Sequence, residues 1–124
     1  MNTQGRKKTI MIADDEKTIR ALVTKCLGDY VVIEAEDGAQ ALDLVQSCKP
    51  DLLILDIMMP RMDGYTVCQR LKMDILTKGI PIVMLTSLGS ELNAKLSQNL
   101  GADAYITKPF SAKELTDTVD HLLG

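Results

Sequence analysis

Three aspartates and one lysine each follow a short apolar segment of the chain. Asp56 follows a run of four leucine and isoleucine residues, Asp14 and Asp15 follow an isoleucine- and methionine-rich run, and Lys108 follows a third such segment. A carboxylate buried without a partner costs several kcal/mol or more, so Asp56 needs compensating groups. Carboxylates can share a divalent cation, and a lysine can hold a phosphoryl group. These four residues therefore predict a site for cation binding and phosphoryl chemistry.

The elements that must position these residues follow from the pattern of apolar runs. Five short runs alternate with five helical patterns, which predicts a parallel sheet with crossover helices. The predicted strands are residues 9–13, 31–35, 51–55, 81–86 and 104–107. Right-handed crossovers favour the strand order 2-1-3-4-5, which places the first and third strands side by side. The predicted fold class is α/β, a doubly wound (βα)5 five-stranded parallel sheet of the flavodoxin-like type.

Apolar spacing and capping residues indicate the five helices. The first carries an apolar stripe at helical spacing, made of Ile19, Leu22, Val23, Cys26 and Leu27. Capping-box patterns begin the second helix at Asp37 and the fifth at Ser111. The third is predicted from Asp63 or Gly64 to Lys72, and the fourth carries Leu92, Leu96 and Leu100.

Composition excludes several classes of protein. The 124 residues carry a net charge of −3, which gives no reason to expect nucleic-acid binding by this domain, since such binding would need a basic face. No apolar run approaches the ~20 residues that a membrane helix needs. Three widely spaced cysteines are typical of reduced core thiols in a cytoplasmic protein. We expect one domain over residues 1–124, with its core at about 8–123.

The chain stops directly after the fifth predicted helix. It is therefore either a complete single-domain protein or a domain cut from a longer one. Met1 and the short polar leader favour a natural start.

The predicted sheet brings the acids together. Ligands of open parallel sheets bind beyond the carboxyl ends of the strands, and adjacent strands lie about 4.8 Å apart. Like charges at about 4 Å repel by on the order of 1–4 kcal/mol, and a hard cation such as Mg²⁺ relieves that repulsion. An aspartate can attack phosphorus to form an acyl phosphate. Thr86, at the end of the fourth strand, can donate its hydroxyl to a phosphoryl oxygen, and a cis bond before Pro109 would aim Lys108 into the site.

Five motifs together resemble the receiver domain of bacterial two-component response regulators. They are Asp14-Asp15, Asp56 with the segment 59–64, the segment 81–87, Gly101-Ala102, and Lys108-Pro109-Phe110. The resemblance covers about residues 8–123. Each motif alone is weak, but all five in this order and at these spacings are highly specific.

The resemblance implies a role for each site residue. Asp56 would accept a phosphoryl group from a histidine kinase, a phosphotransfer protein or a small phosphodonor. Asp15, Asp56 and the backbone carbonyl of Met58 would bind Mg²⁺, with Asp14 acting mostly through water. Thr86 and Lys108 would hold the phosphoryl group.

The resemblance also implies a switch. Tyr105 would turn inward as Thr86 moves, which alters the face formed by the fourth predicted helix, the fifth strand and the fifth predicted helix. That face would control a downstream effector or output domain, in a monomer or a phosphorylation-dependent dimer. Such a protein catalyses only its own phosphorylation and dephosphorylation.

Two positions beside the active residues predict slow self-dephosphorylation. Met58 is the second residue after Asp56, and Leu88 is the second after Thr86. Polar side chains at these positions could orient an attacking water. Both residues are apolar and can only crowd it.

Three alternatives remain open at this point. A phosphatase with an aspartyl nucleophile would need a second Asp where Met58 stands. An FMN carrier would need a Ser-, Thr- and Gly-rich first loop and flanking aromatics, whereas this loop is acidic, Trp is absent and Phe110 is the only Phe. A degenerate receiver would bind partners without phosphorylation, although every expected site position is filled.

Overall fold

A computed structural model describes residues 7–87 and 101–124. Within these residues the strands are β1 (Thr9–Ala13), β2 (Val31–Ala35), β3 (Leu52–Asp56), β4 (Ile82–Thr86) and β5 (Ala104–Thr107). The helices in the same ranges are α1 (Lys17–Cys26), α2 (Gly38–Cys48), α3 (Gly64–Met73) and α4 (Ala112–Leu123). Helix α4 is the fifth predicted helix. The fourth predicted helix, with Leu92, Leu96 and Leu100, lies outside the described residues.

The five strands form one parallel sheet in the order β2-β1-β3-β4-β5, which confirms the predicted fold class. Ala13 of β1 pairs with Leu55 of β3, and Asp56 of β3 pairs with Leu85 of β4. The third strand therefore extends one residue beyond its predicted end, because the ladder to β4 continues through Asp56. This register brings the ends of β1, β3 and β4 to one edge of the sheet.

The sheet has an apolar core on each face because side chains alternate along a strand. Ile10, Ile12 and Ile54 belong to the core beneath α1 and α4. Met11 and Leu53 belong to the core beneath α2 and α3. Strands β3 and β4 are buried along their whole length, as expected for a parallel sheet covered by helices on both sides.

The helix caps agree with the capping signals in the sequence. The Asp37 side chain accepts a hydrogen bond from the Gln40 amide at 2.8 Å at the start of α2. Ser111 accepts one from the Glu114 amide at 3.0 Å at the start of α4. These bonds satisfy amides that the first helical turn leaves without partners.

Two predictions about buried side chains were wrong. Leu22 is 43% exposed, because the inward face of α1 is centred between Val23 and Leu27 and Leu22 lies at its edge. Cys48 is an exposed thiol, since α2 ends there, whereas Cys68 is buried in the core as expected.

Candidate functional site

Three acids converge at the carboxyl edge of the sheet. Asp14 and Asp15 follow β1, and Asp56 ends the neighbouring strand β3. One carboxylate oxygen from each lies within 4.8 Å of the other two. Asp14 is fully buried and Asp56 is 4% exposed, whereas Asp15 faces solvent. The edge thus holds two buried acids and one at the rim.

Asp14 is held through several of its polar groups. Its amide donates to the carbonyl of Ala35 at 3.1 Å, which ties it to the end of β2. Its carboxylate accepts from the amide of Glu16 and from Lys108 Nζ, each at 2.8 Å. Its carbonyl accepts from Arg20 Nη1 at 2.7 Å. Asp14 is therefore a fixed part of the pocket wall.

Lys108 places its ammonium group among the acids. Its Nζ lies 2.8 Å from Asp14 Oδ2, 3.4 Å from Glu16 Oε1 and 3.6 Å from Asp56 Oδ2. Burial opposes the charge on Lys108, but the hydrogen bond to Asp14 and the charges of Asp56, Asp14 and Glu16 outweigh it and raise the lysine pKa. The lysine is a permanent cation within the cluster.

Strands β4 and β5 supply the other side of the pocket. The Lys108 amide donates to the carbonyl of Thr86 at 2.6 Å, and the Lys108–Pro109 peptide bond is cis, as predicted. Thr86 is 1% exposed at the end of β4. Tyr105 lies on β5 and is 38% exposed, so its ring is at the surface.

The electrostatics of Asp56 favour a bound cation. Burial, together with the charges of Asp14 and Asp15, raises the pKa of Asp56 to about 6 against the opposing effect of Lys108 and the Met58 amide. One oxygen from each of the three carboxylates lies within 4.8 Å of the other two, and carboxylate oxygens are ligands that Mg²⁺ prefers. The three clustered carboxylates supply hard oxygen ligands and negative charge, which suit Mg²⁺.

The loop between β3 and α3 lies directly beside the acids. Met58 is 61% exposed and its amide donates to Asp56 Oδ1 at 3.3 Å, whereas Leu88 lies outside the described residues. Arg61 has a positive φ of 65° and places its Nη2 2.7 Å from Asp37 Oδ2 at the start of α2. The ion pair fastens this loop to the neighbouring helix.

Three residues of this neighbourhood were not predicted from the sequence to contact the site or the loop beside it: Arg20, Glu16 and Arg61. Arg20 could have been noticed as an arginine between Ile19 and Val23 of the apolar stripe. Arg61 lies within the motif of residues 59–64, but its contact with Asp37 was not predicted, because Asp37 is 24 residues away and was interpreted only as a cap. Glu16 lies two residues after Asp14, and its contact with Lys108 is set by tertiary structure.

A doubly wound parallel sheet with an acid cluster and a lysine at its carboxyl edge defines a flavodoxin-like domain of the receiver type. The chain belongs to the response regulator receiver domain family, whose model matches residues 10–120.

Relatives and solved structures of this family agree with the assignment. The phosphate regulon transcriptional regulatory protein PhoB of Pseudomonas aeruginosa is 47% identical over 110 residues, which cover 87% of this chain and 48% of that protein. A histidine kinase of Formosa agariphila is 41% identical over 122 residues, which cover 98% of this chain and 9% of that protein. The chemotaxis protein CheY4 of Vibrio cholerae is 32% identical with a TM-score of 0.88, covering 94% of this chain and 99% of that one. The chain spans about half the length of PhoB and similar regulators that it matches.

Family membership decides against two of the three alternatives that the sequence left open, the phosphatase and the FMN carrier. Response regulators are signalling proteins of two-component systems, not phosphatases of external substrates or flavin carriers. Receiver domains bind Mg²⁺ in an acidic pocket, and this chain has an acid cluster at that place. Among the described helices, none has both the length and the apolar character for crossing a membrane.

Proposed function

We propose that this chain is a phosphorylation-dependent signalling switch in which Asp56 is the phosphoryl acceptor. The observation that carries the proposal is the environment of Asp56. Its nearly buried carboxylate shares a 4.8 Å cluster with Asp14 and Asp15 and lies 3.6 Å from the ammonium group of Lys108. Phosphoryl transfer depends mainly on positioning and charge neutralisation, and this cluster is suited to both.

In the proposed transfer, a carboxylate oxygen of Asp56 attacks the phosphorus of a phosphohistidine or a small phosphodonor. A bond forms between that oxygen and phosphorus while the bond from phosphorus to the donor breaks. The leaving group keeps the electron pair and takes up a proton from solvent. Lys108 would neutralise charge on the phosphoryl oxygens, and the Thr86 hydroxyl would donate a hydrogen bond to one of them.

Asp15, Asp56 and the backbone carbonyl of Met58 would hold Mg²⁺, with Asp14 acting mostly through water. When bound, the ion neutralises the phosphoryl oxygens and relieves repulsion among the acids. The buried position of Asp14 and its hydrogen bonds to Glu16 and Lys108 support a role in shaping the pocket.

Phosphorylation would shift the population between two arrangements of the pocket and the surface beside it. A phosphoryl group adds about −1.5 to −2 charges where carboxylates already lie. Thr86 would move toward the new oxygens and Tyr105 would turn inward, which changes the face of β5 and α4 and of the fourth predicted helix. The proposed partners are a sensor histidine kinase or phosphotransfer protein and a downstream effector or output domain, all in the cytoplasm.

Labelling with a small phosphodonor tests the acceptor. Incubation with acetyl phosphate and Mg²⁺ should add about one phosphate as an acid-stable, base-labile adduct, detected by intact mass. Asp56→Asn should abolish the adduct, and Asp43→Asn, which changes an exposed aspartate of α2, should keep it. An unlabelled wild-type protein would identify a degenerate receiver, and a labelled Asp56→Asn variant would place the acceptor elsewhere.

A second experiment tests the switch. Thr86→Ala should still be phosphorylated but should bind its effector more weakly in the phosphorylated state, because the group that links the phosphoryl oxygens to Tyr105 is missing. Phosphorylation-dependent affinity for the cognate effector is the measurement. If phosphorylation increased the effector affinity of Thr86→Ala as much as that of the wild type, the coupling would be contradicted.

A further inference from the structure

Arg20 is a buried arginine of α1 that the proposed transfer does not use. Arg20 is only 7% exposed, although other residues of α1, such as Leu22, face solvent. Removing a guanidinium group from water is unfavourable unless its donors are paired. Its position therefore depends on the acceptors around it.

The guanidinium group of Arg20 joins the ends of β1 and β2. Nη1 donates to the backbone carbonyl of Asp14 at 2.7 Å, and Nε donates to Glu34 Oε1 at 3.0 Å. Nη2 lies 3.9 Å from Glu36 Oε1. The side chains of Glu34 and Glu36 are 45% and 68% exposed, so both carboxylates remain in contact with water. Of the three acceptors, the Asp14 carbonyl is the one that belongs to the acid pocket.

The Asp14 carbonyl belongs to the peptide unit that joins Asp14 to Asp15. A peptide unit is planar, so a bond that fixes its oxygen also fixes its rotation about the chain. That rotation sets the direction in which the Asp15 side chain leaves the backbone. The Asp14 amide and carboxylate are held by Ala35, Glu16 and Lys108, and the carbonyl is held by Arg20.

We propose that Arg20 is a positioning residue for the magnesium pocket, acting through the Asp14–Asp15 peptide unit. The inference rests on the Mg²⁺ site of the proposed function. Arg20 does not touch the ion or the phosphoryl group. It holds the backbone so that the carboxylate of Asp15 can face that of Asp56.

Magnesium affinity of the unphosphorylated protein, measured by calorimetry, tests this role. Arg20→Met keeps the apolar stem but removes the donors, and we expect it to weaken Mg²⁺ binding by about 10-fold, as is usual when a group supporting a metal ligand is lost. Arg20→Lys keeps the charge but lacks the planar fork that reaches Asp14 and Glu34 together, so its affinity should fall between those of Arg20→Met and wild type. The lysine variant also provides a test if the methionine variant does not fold.

Two controls separate positioning from general loss of stability. Arg70→Met makes the same change at an exposed site on α3 and should leave Mg²⁺ affinity unchanged. Val23→Ala removes core packing one turn along the same helix, so it should lower the melting temperature and leave Mg²⁺ affinity unchanged. Folding of each variant is checked by circular dichroism.

The outcomes distinguish the two levels of the proposal. Wild-type protein without Mg²⁺ affinity would overturn the proposed function and this inference together. If the wild type binds Mg²⁺ and the folded Arg20→Met and Arg20→Lys variants bind it with the same affinity as the wild type, the role of Arg20 alone is overturned. The role of Arg20 would also be overturned if Val23→Ala weakened Mg²⁺ binding as much as Arg20→Met does. The weaker binding would then follow from lower stability and not from the loss of the guanidinium group.

Discussion

Asp56 combines burial with a pKa raised to about 6, and this combination links its charge to the stability of the fold. The folded state binds the proton more tightly than the unfolded state, whose carboxyl keeps its ordinary pKa of about 3.9. Stability from this group is therefore fully present below that value and is lost as pH rises through about 6. A shift of about two units corresponds to on the order of 3 kcal/mol.

Asp56→Asn should remove the loss of stability that accompanies ionisation of Asp56. In the absence of Mg²⁺, we expect the variant to be more stable than wild type by on the order of 2 kcal/mol at pH 7.5, with the difference shrinking toward pH 4. Urea denaturation of both proteins across this pH range is the measurement. If the difference in unfolding free energy between the two proteins were the same at every pH, Asp56 would have an ordinary pKa in the folded protein.

Met58 should limit the access of water to the phosphorylated site. Its side chain is 61% exposed, so a polar replacement can be accommodated without loss of packing. We expect Met58→Asn to shorten the aspartyl phosphate lifetime several-fold, because an amide can orient the attacking water. Met73→Asn, at a 78% exposed methionine of α3, should leave the lifetime unchanged. Equal lifetimes for Met58→Asn and wild type would refute the crowding account.

At the level of single residues, the sequence revealed the acids and the lysine because each follows a short, mainly apolar segment typical of a strand. The place of Arg20 in the apolar stripe of α1 indicates that it is buried, but it does not show what Arg20 contacts. Its partners are a backbone carbonyl and the side chains of Glu34 and Glu36, which come within reach only when β1 and β2 pair. No spacing in the sequence encodes such a contact.

At the level of elements, α3 begins against the backbone of the proposed acceptor. Gly64 is buried, and a Cβ atom at this position would lie 2.3 Å from the carbonyl oxygen of Asp56. Its own amide donates to the carbonyl of Ile57 at 2.9 Å, which closes the turn between β3 and α3. The start of α3 and the end of β3 can approach this closely only without a side chain.

Gly64→Ala should therefore destabilise the protein by at least about 2 kcal/mol, because the methyl group must displace backbone atoms. It should also slow phosphorylation, since the displaced atoms belong to Asp56. Gly79→Ala is the matched control, because a Cβ at that glycine has no neighbour within 4 Å. Chemical denaturation and labelling by acetyl phosphate measure both effects, and equal stability of the two variants would contradict the close approach.

The strands were easier to predict than the faces of the helices. A strand buried on both sides is a continuous apolar run, and β1, β2 and β5 begin and end where predicted. An amphipathic helix gives only the approximate direction of its buried face. On α1 the predicted apolar stripe included Leu22, which is exposed, and did not include Arg20, which is buried.

At the level of the whole molecule, ion binding and folding should be coupled. A ligand that binds only the folded state stabilises it by RT ln(1 + [L]/Kd), about 2.7 kcal/mol at 100 times Kd. We therefore expect the melting temperature to rise with Mg²⁺ concentration. Asp15→Asn should remove most of the rise because it deletes a proposed ligand, and Asp43→Asn should retain it. Identical Mg²⁺ responses for wild type and Asp15→Asn would exclude Asp15 from the site.

The overall topology could be predicted because right-handed crossovers leave few strand orders for five βα units, and the order 2-1-3-4-5 is a common one among doubly wound folds. Partners could not be predicted in the same way, since recognition depends on the shape and charge of surfaces formed by residues far apart in sequence. The region of Tyr105, on the exposed side of β5, is one such surface.

The Lys8 ammonium group lies 2.9 Å from the carbonyl oxygen of Leu123. The beginning of β1 and the end of α4 therefore meet at the edge of the sheet opposite the acids. A short linker could join these points, and a circular permutant could be opened in the exposed turn at Gly28 and Asp29. A fluorescent label attached at Lys8 or Leu123 would lie away from the pocket, so it should not obstruct the phosphodonor.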